Sequence, residues 1–113
     1  MYTGRRKDIT GVFQESGLQE IVLPSTLRVI GTYTFSNCAQ LRKISLPAGL
    51  RELGASCFEV SGIEEVTIPS RVRAIGERAF ADCKSLAMVI FPLDSALEEI
   101  CAGAFQGTAV ASF

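Results

Sequence analysis

The sequence predicts a single domain of the α/β repeat class, a solenoid in which short parallel strands alternate with helical or 3₁₀ turns. Two observations carry this prediction. The four prolines recur at intervals of 22 or 23 residues, at Pro24, Pro47, Pro69 and Pro92, and five of the seven phenylalanines recur with a similar period. The 113 residues allow one domain, and their 48% apolar content is enough to build a core.

Each proline ends a segment that we name the first block, with the pattern L-x-x-I-x-L-P. Its Ile and the Leu two residues later point to the same face of a strand, so this block is predicted to be a short, half-buried strand. Proline cannot donate a hydrogen bond to a strand ladder, and it therefore ends the strand and begins a turn. The copies span residues 18–24, 41–47, 63–69 and 86–92.

A second block, L-x-x-I-G-x-x-A-F in outline, follows each proline and returns the chain. Its glycine predicts a tight bend or a close approach of two backbones, and its last residues predict one helical or 3₁₀ turn that places the phenylalanine in the core. Cys101 replaces the glycine in the fourth copy, so either φ need not be positive there or this corner is relaxed. The phenylalanines of this column are Phe13, Phe35, Phe58, Phe80 and Phe105.

One repeat cannot bury its apolar face alone, so the repeats are predicted to stack as coils, with equivalent strands paired in parallel about 4.8 Å apart. The distance along the chain from each phenylalanine to the start of the next strand alternates between five and six positions, which explains the alternating period. Coils 1 to 4 span residues 18–40, 41–62, 63–85 and 86–109, with partial coils at 1–17 and 110–113. The domain thus has about four and a half coils of 22–25 residues.

The unit L-x-x-I-x-L-P-x-x-L-x-x-I-G-x-x-A-F-x-x-C resembles the BspA-like (Treponema pallidum-type) leucine-rich repeat over roughly residues 18–109. The chain departs from the family pattern at Cys101, at Thr34 and Cys57, where the family prefers alanine, and in a two-residue insertion after Pro92. The resemblance implies a right-handed solenoid with a parallel sheet on its concave side. It also implies a non-catalytic interaction role, since members often form arrays on the surface of bacteria and parasitic protists and bind host or matrix proteins.

The four cysteines match no secreted disulfide scaffold and no zinc-binding spacing. Cys38 and Cys83 share a column two coils apart, which puts their Cα atoms about 10 Å from each other, too far for a disulfide. Cys57 and Cys101 also lie two coils apart, in different columns. We predict four free thiols that act as small buried or corner residues. A redox thiol is the alternative, without a histidine or a repeated basic residue to support it.

The variable positions of the first block are predicted to line the open face of the sheet, where a protein partner could bind. The charges that alternate in the first column allow a second interpretation, a self-neutralising ladder of attracting neighbours. Apolar Met88 and Ile90 do not fit that ladder and predict a contact patch. The candidates are Glu20, Lys43, Glu65 and Met88 in one column, and Val22, Ser45, Thr67 and Ile90 in the next.

Arg28, Arg51 and Arg73 share one column of the second block, and Glu98 takes the fourth place. One interpretation is three solvated arginines that nearby carboxylates neutralise. The other is a ridge that faces an acidic or anionic partner, because the guanidinium fork matches carboxylate and phosphate groups.

Composition and motifs exclude several functions. Eleven basic and twelve acidic residues give a net charge of −1, which argues against a general nucleic-acid binder. The chain has no histidine, phosphate loop or metal-ligand spacing, so we expect no enzyme, no cofactor and no metal. We also find no apolar stretch that could span a membrane and no signal peptide in this chain.

These observations predict a non-catalytic protein–protein interaction module, with a partner of unknown identity. The resemblance implies that this module is a segment of a cell-surface or secreted, adhesin-like repeat protein. The alternative is a structural subunit that is bound permanently in a larger assembly. Neither end has a polar capping repeat, which predicts end-to-end stacking or capping by a neighbouring chain or repeat.

Overall fold

The structure is a computed structural model that describes residues 8–11 and 13–110, with the backbone alone at 8 and 9. The partial coils predicted at residues 1–17 and 110–113 therefore lie partly outside the described residues. The described chain contains seven short strands, each of two or three residues. They are β1 (Asp8–Ile9), β2 (Val29–Ile30), β3 (Glu52–Leu53), β4 (Glu65–Thr67), β5 (Ala74–Ile75), β6 (Met88–Ile90) and β7 (Glu99–Ile100).

Five strands of the second block form one parallel sheet, in the order β1-β2-β3-β5-β7. The register pairs equivalent residues of successive coils, so that Ile30 lies beside Leu53, Leu53 beside Ile75, and Ile75 beside Ile100. From the sequence, the second block was expected only to lead the chain back towards the next strand, and this sheet was not predicted. Two residues carry too short a pattern to predict a strand, and the sheet exists because stacked coils pair their backbone groups.

The first block forms the predicted parallel strands in coils 3 and 4. β4 pairs with β6, with Glu65 beside Met88, Val66 beside Val89, and Thr67 beside Ile90. The equivalent segments 19–23 and 42–46 of coils 1 and 2 are described in full and form no strand. Among the described residues, the first blocks therefore pair as a sheet only between β4 and β6.

The segment that follows each repeated glycine is a ribbon of tight turns, and the described residues contain no helix. In coil 1 the N–H of Thr34 donates to the carbonyl of Gly31, three residues back, whereas the N–H of Phe35 donates to Cys57 in coil 2. Successive amides thus alternate between a turn bond and a bond to the next coil. An α-helix cannot form here, because it would direct every amide along its own axis.

The turn ribbon also requires left-handed backbone at two positions in each coil. These residues stand four apart, and their φ angles lie between +55° and +74°. Such a conformation interrupts any helix of L-residues, and it is costly for side chains other than glycine, asparagine and aspartate. The pairs are Gly11 and Glu15, Tyr33 and Asn37, Ser56 and Val60, Arg78 and Asp82, and Gly103 and Gly107.

The core consists of columns to which successive coils contribute equivalent side chains. The predicted phenylalanine column forms a continuous stack, with ring centroids 5.2–5.4 Å apart and interplanar angles of 4–8°. Phe35, Phe58 and Phe80 are completely buried in it. Nearly parallel rings at this separation are offset-stacked, an arrangement that adds to the free energy gained from burial.

The repeated glycines allow close approach between coils. A Cβ atom on Gly76 would lie 2.7 Å from the nitrogen of Ala55 and from the carbonyl carbon of Gly54, and neither Gly54 nor Gly76 has a positive φ. Cys101 has no positive φ either. Of the two explanations for a cysteine in this column, the first is therefore correct: the position does not need left-handed backbone.

Candidate functional site

The first-block candidates of coils 3 and 4 lie together on one exposed face. Val66 is buried, whereas Glu65 and Thr67 on either side of it are exposed, because successive side chains of a strand point in opposite directions. The register then places Met88 beside Glu65 and Ile90 beside Thr67. We name the whole set the first-block face. It comprises Glu20, Val22, Lys43, Ser45, Glu65, Thr67, Met88 and Ile90.

In coils 1 and 2 the same columns line two grooves. The first groove, with a volume of about 630 Å³, is bordered by Glu20, Val22, Lys43 and Ser45 among other residues. The second, of about 480 Å³, shares Lys43 and Ser45 with the first and reaches Glu65 and Thr67 of coil 3. The first groove runs along the first blocks of coils 1 and 2, which form no strand, whereas the second is bordered by β4 on its coil 3 side.

The grooves have apolar as well as charged walls. Ile21 and Ile44 line the first groove and are only half-buried, although they occupy the core-facing column that Val66 fills in coil 3. Apolar contact and hydrogen bonding are therefore both available to an occupant of this groove.

The predicted ladder of Glu20, Lys43 and Glu65 contains no ion pair within the described residues. Both salt bridges within residues 10–11 and 13–110 involve Arg78, which contacts Glu59 and Asp82 on the turn ribbon. Glu20, Lys43 and Glu65 are exposed. Their charges stay hydrated and can meet the charges of a partner.

Apolar side chains are exposed at both ends of the face. Val22 is 94% exposed, Met88 52% and Ile90 43%. Leu93, in the insertion after Pro92, is fully exposed as well. Sequence reasoning missed Leu93 as a surface residue, although the insertion that interrupts the repeat was the signal, because an extra residue has no core column to fill.

The arginine column divides into two environments. Its backbones are joined coil to coil, since the N–H of Arg51 donates to the oxygen of Arg28 and the N–H of Arg73 to that of Arg51, each at 2.8 Å. Nη1 of Arg28 donates to the carbonyl oxygens of Ser25 and Leu27, at 3.1 and 3.3 Å. The guanidinium of Arg28 is thus held against its own coil.

Arg51 and Arg73 instead line a concavity of about 280 Å³, together with Arg71 and Ala96. Sequence reasoning missed Arg71 because no other coil has an arginine in that column. The available signal was the alternation around Val72, which is completely buried and has Arg71 and Arg73 exposed on either side.

The cysteines have the environment of packing residues. Burial raises the pKa of the Cys57 and Cys83 thiols, and burial followed by the carboxylates of Glu99 and Glu77 raises that of Cys101. A raised pKa disfavours the nucleophilic thiolate. All four cysteines are free thiols in the structure.

The cysteine and carboxylate side chains of the described residues form no group of three or more that could hold a metal ion. Residues 8–11 and 13–110 also include no helix that is long and apolar enough to cross a membrane.

Comparison with known proteins gives a consistent result. A family model described as the BspA type leucine rich repeat region matches residues 10–113 in six copies. No curated protein sequence is similar enough to count as a match.

The solved structures that are similar to the chain include three that are 28–31% identical to it. The leucine-rich repeat protein of T. pallidum is 31% identical, with a TM-score of 0.85, over 92% of this chain and 50% of that one. A leucine-rich repeat protein of Bacteroides ovatus is also 31% identical, with a TM-score of 0.74, over 88% and 30%. The pneumococcal vaccine antigen PcpA is 28% identical, with a TM-score of 0.57, over 80% and 22%. The chain thus spans half or less of the length of each structure.

Proposed function

This chain belongs to the BspA-type leucine-rich repeat family, and we propose that it is a non-catalytic module that binds a protein partner through its first-block face. Family membership and the similar structures confirm the repeat solenoid that the sequence predicts. The family supports a role in protein interaction. We choose this face because Val22, Met88 and Ile90 are exposed on it, in the same columns as charged and polar side chains.

The face combines the two properties that a protein-binding surface needs. The exposed apolar side chains at its ends, and Ile21 and Ile44 in the first groove, offer area whose removal from water favours association. Glu20, Lys43 and Glu65 carry charges that alternate along the columns and form no ion pair within the described residues. Complementary charges on a partner would set its register and favour correct encounters.

The same proposal assigns the module to the cell surface or to a secreted protein. Its support is the family and the fact that one similar structure is a pneumococcal vaccine antigen. The finer form, an adhesin-like role against host or matrix proteins, follows from the family resemblance of the repeat.

The test measures binding of the purified chain to a panel of immobilised matrix and serum proteins. Met88→Asp combined with Ile90→Asp should weaken a saturable interaction about tenfold or more, because it places charge where apolar side chains are buried on binding. Val60→Asp combined with Tyr33→Asp is the matched control, since these residues are 41% and 46% exposed on the turn ribbon and their substitution adds the same two charges. An equal loss in both variants, or no saturable binding to any member of the panel, would count against the proposal.

Light scattering separates this function from the alternative of a permanent structural subunit. A binding module is expected to be a soluble monomer when it is purified alone. A chain that stays soluble only when a partner is co-expressed would favour the structural subunit.

A further inference from the structure

The second-block side of the molecule carries three arginines that converge on one concavity. Arg71 and Arg73 flank Val72, whose side chain is completely buried, so both arginines point outward from the same stretch of chain. The N–H of Arg73 donates to the oxygen of Arg51 at 2.8 Å, which makes Arg51 the neighbour of Arg73 in the preceding coil. All three side chains line the same concavity.

Coil 4 leaves this concavity open. Ala96 occupies the place that Arg71 has in coil 3, and its N–H donates to the oxygen of Ser70 at 2.7 Å. A methyl group at this position covers little of the space above the arginines. The volume of about 280 Å³ is below the range of roughly 300–1,000 Å³ typical of sites for drug-sized molecules, and it suits one small polar group.

The three guanidiniums have no carboxylate partner among the described residues. Both ion pairs in that part of the chain belong to Arg78, and the guanidinium of Arg28 is held by two carbonyl oxygens of its own coil. Arg51, Arg71 and Arg73 therefore present positive charges that repel one another. A bound anion would relieve this repulsion and accept their N–H groups.

The arrangement also selects the shape of the anion. Each guanidinium fork can engage two oxygens, and the three arginine side chains border the concavity from two adjacent coils. A flat carboxylate offers two oxygens in one plane, whereas the tetrahedral group of a phosphate or sulfate monoester offers three in different directions. We propose that Arg51, Arg71 and Arg73 form a binding site for a tetrahedral oxyanion, the phosphate or sulfate group of an ester.

Glu98 lies next to this site and works against it. It occupies the fourth place of the arginine column, and its N–H donates to the oxygen of Arg73 at 2.8 Å. Its exposed carboxylate lowers the positive potential that the anion experiences. Replacing Glu98 by glutamine should therefore strengthen anion binding, which is the opposite of what a contact residue would do.

The experiment titrates the chain with inorganic phosphate and with sulfate at low ionic strength and follows the arginine Nε–Hε signals by NMR. Saturable shifts at Arg51, Arg71 and Arg73 are expected with at least one of the two ions. The ion that binds more tightly identifies the ester as phosphate or sulfate. No saturable shift, or acetate that binds as tightly as both tetrahedral ions, would overturn the proposal.

Matched variants test the geometry. Arg71→Gln should weaken binding about tenfold or more, and Arg71→Lys should also weaken it, because lysine keeps the charge but loses the fork. Arg42→Gln removes the same charge from an exposed arginine at the first groove and should leave binding unchanged. If Arg42→Gln weakens binding as much as Arg71→Gln, net charge alone explains the effect and the site is rejected. Circular dichroism confirms that each variant is folded. The result of the anion titration does not depend on whether the first-block face binds a protein.

Discussion

The Sγ atom of Cys83 lies 2.9 Å from the carbonyl oxygen of Phe58 in the preceding coil, and its thiol donates a hydrogen bond to that oxygen. Cys38 has the same relationship with Phe13, at 3.1 Å. Each cysteine lies where the next strand starts six positions after a phenylalanine, whereas in the preceding coil it starts five positions after. The alternating period of 22 and 23 residues therefore corresponds to pairs of coils that a thiol contact joins.

The burial of the thiols predicts the order in which they react. Cys57 and Cys83 are completely inaccessible to solvent, and burial raises the pKa of both thiols, so alkylation requires local opening of the coils. Cys101 is half-buried. In the folded protein iodoacetamide should label Cys101 about tenfold faster or more than Cys57 and Cys83, as followed by mass spectrometry of digested samples.

A variant of Glu99 separates the effect of exposure from the effect of charge in the labelling experiment. The Glu99 carboxylate contributes to the raised pKa of Cys101, so Glu99→Gln should speed the labelling of Cys101 and leave Cys83 unchanged. Labelling of Cys83 at the rate of Cys101 in the folded chain would contradict the buried column.

The close approach at Gly76 predicts a position-specific loss of stability. A Cβ atom there would lie 2.7 Å from two backbone atoms of coil 2, which cannot move without disturbing the hydrogen bonds between coils. Gly76→Ala should therefore lower the free energy of unfolding by about 1–3 kcal/mol, the usual cost of overpacking. Urea denaturation measures the change. Gly17→Ala is the control, since no atom lies within 4 Å of its added Cβ, and an equal loss in both variants would show that the coils are not this close.

Val60 predicts a gain in stability. Its φ is +58°, and a β-branched residue is strained in this left-handed region. The equivalent residues of coils 1 and 3 are Asn37 and Asp82, which tolerate it far better. Val60→Asn should raise the free energy of unfolding by about 1 kcal/mol. Val22→Asn, at a residue that is 94% exposed and has no positive φ, should bring no gain, and an equal gain there would point to polarity instead of backbone strain.

The features that the sequence predicted are those that side-chain columns reveal. The phenylalanine stack and the β4–β6 register follow from the repeat because each column must pack on its neighbours. The second-block sheet and the grooves of coils 1 and 2 depend on which backbone groups pair between coils, and no side-chain pattern records this. The left-handed backbone at Val60 is indicated only by Asn37 and Asp82 in the same column, and not by the valine itself. Arg71 was not predicted as a site residue for a related reason. It is the only arginine in its column, so the repeat pattern does not single it out.

The ion pair between Glu59 and Arg78 predicts how stability depends on pH. Oε2 of Glu59 accepts hydrogen bonds from Nη2 and Nε of Arg78, at 2.9 and 3.2 Å. A hydrogen bond from Ser56, together with these bonds from Arg78, lowers the pKa of Glu59 below its ordinary value of 4.5. A carboxyl group whose pKa is lower in the folded than in the unfolded state stabilises the fold above its ordinary pKa. That contribution is lost as the pH falls through the folded-state value.

Wild type should therefore exceed Glu59→Gln in the free energy of unfolding at neutral pH, and the difference should shrink as the pH falls below about 4.5. Both partners are partly exposed, so the difference should be small and should decrease in high salt. Urea denaturation at a series of pH values measures it. Glu52→Gln, at an exposed carboxylate outside the ion pairs of the described residues, serves as the matched control. A difference between wild type and Glu59→Gln that stays constant from neutral pH to about pH 3 would show that the carboxylate contributes nothing through its charge.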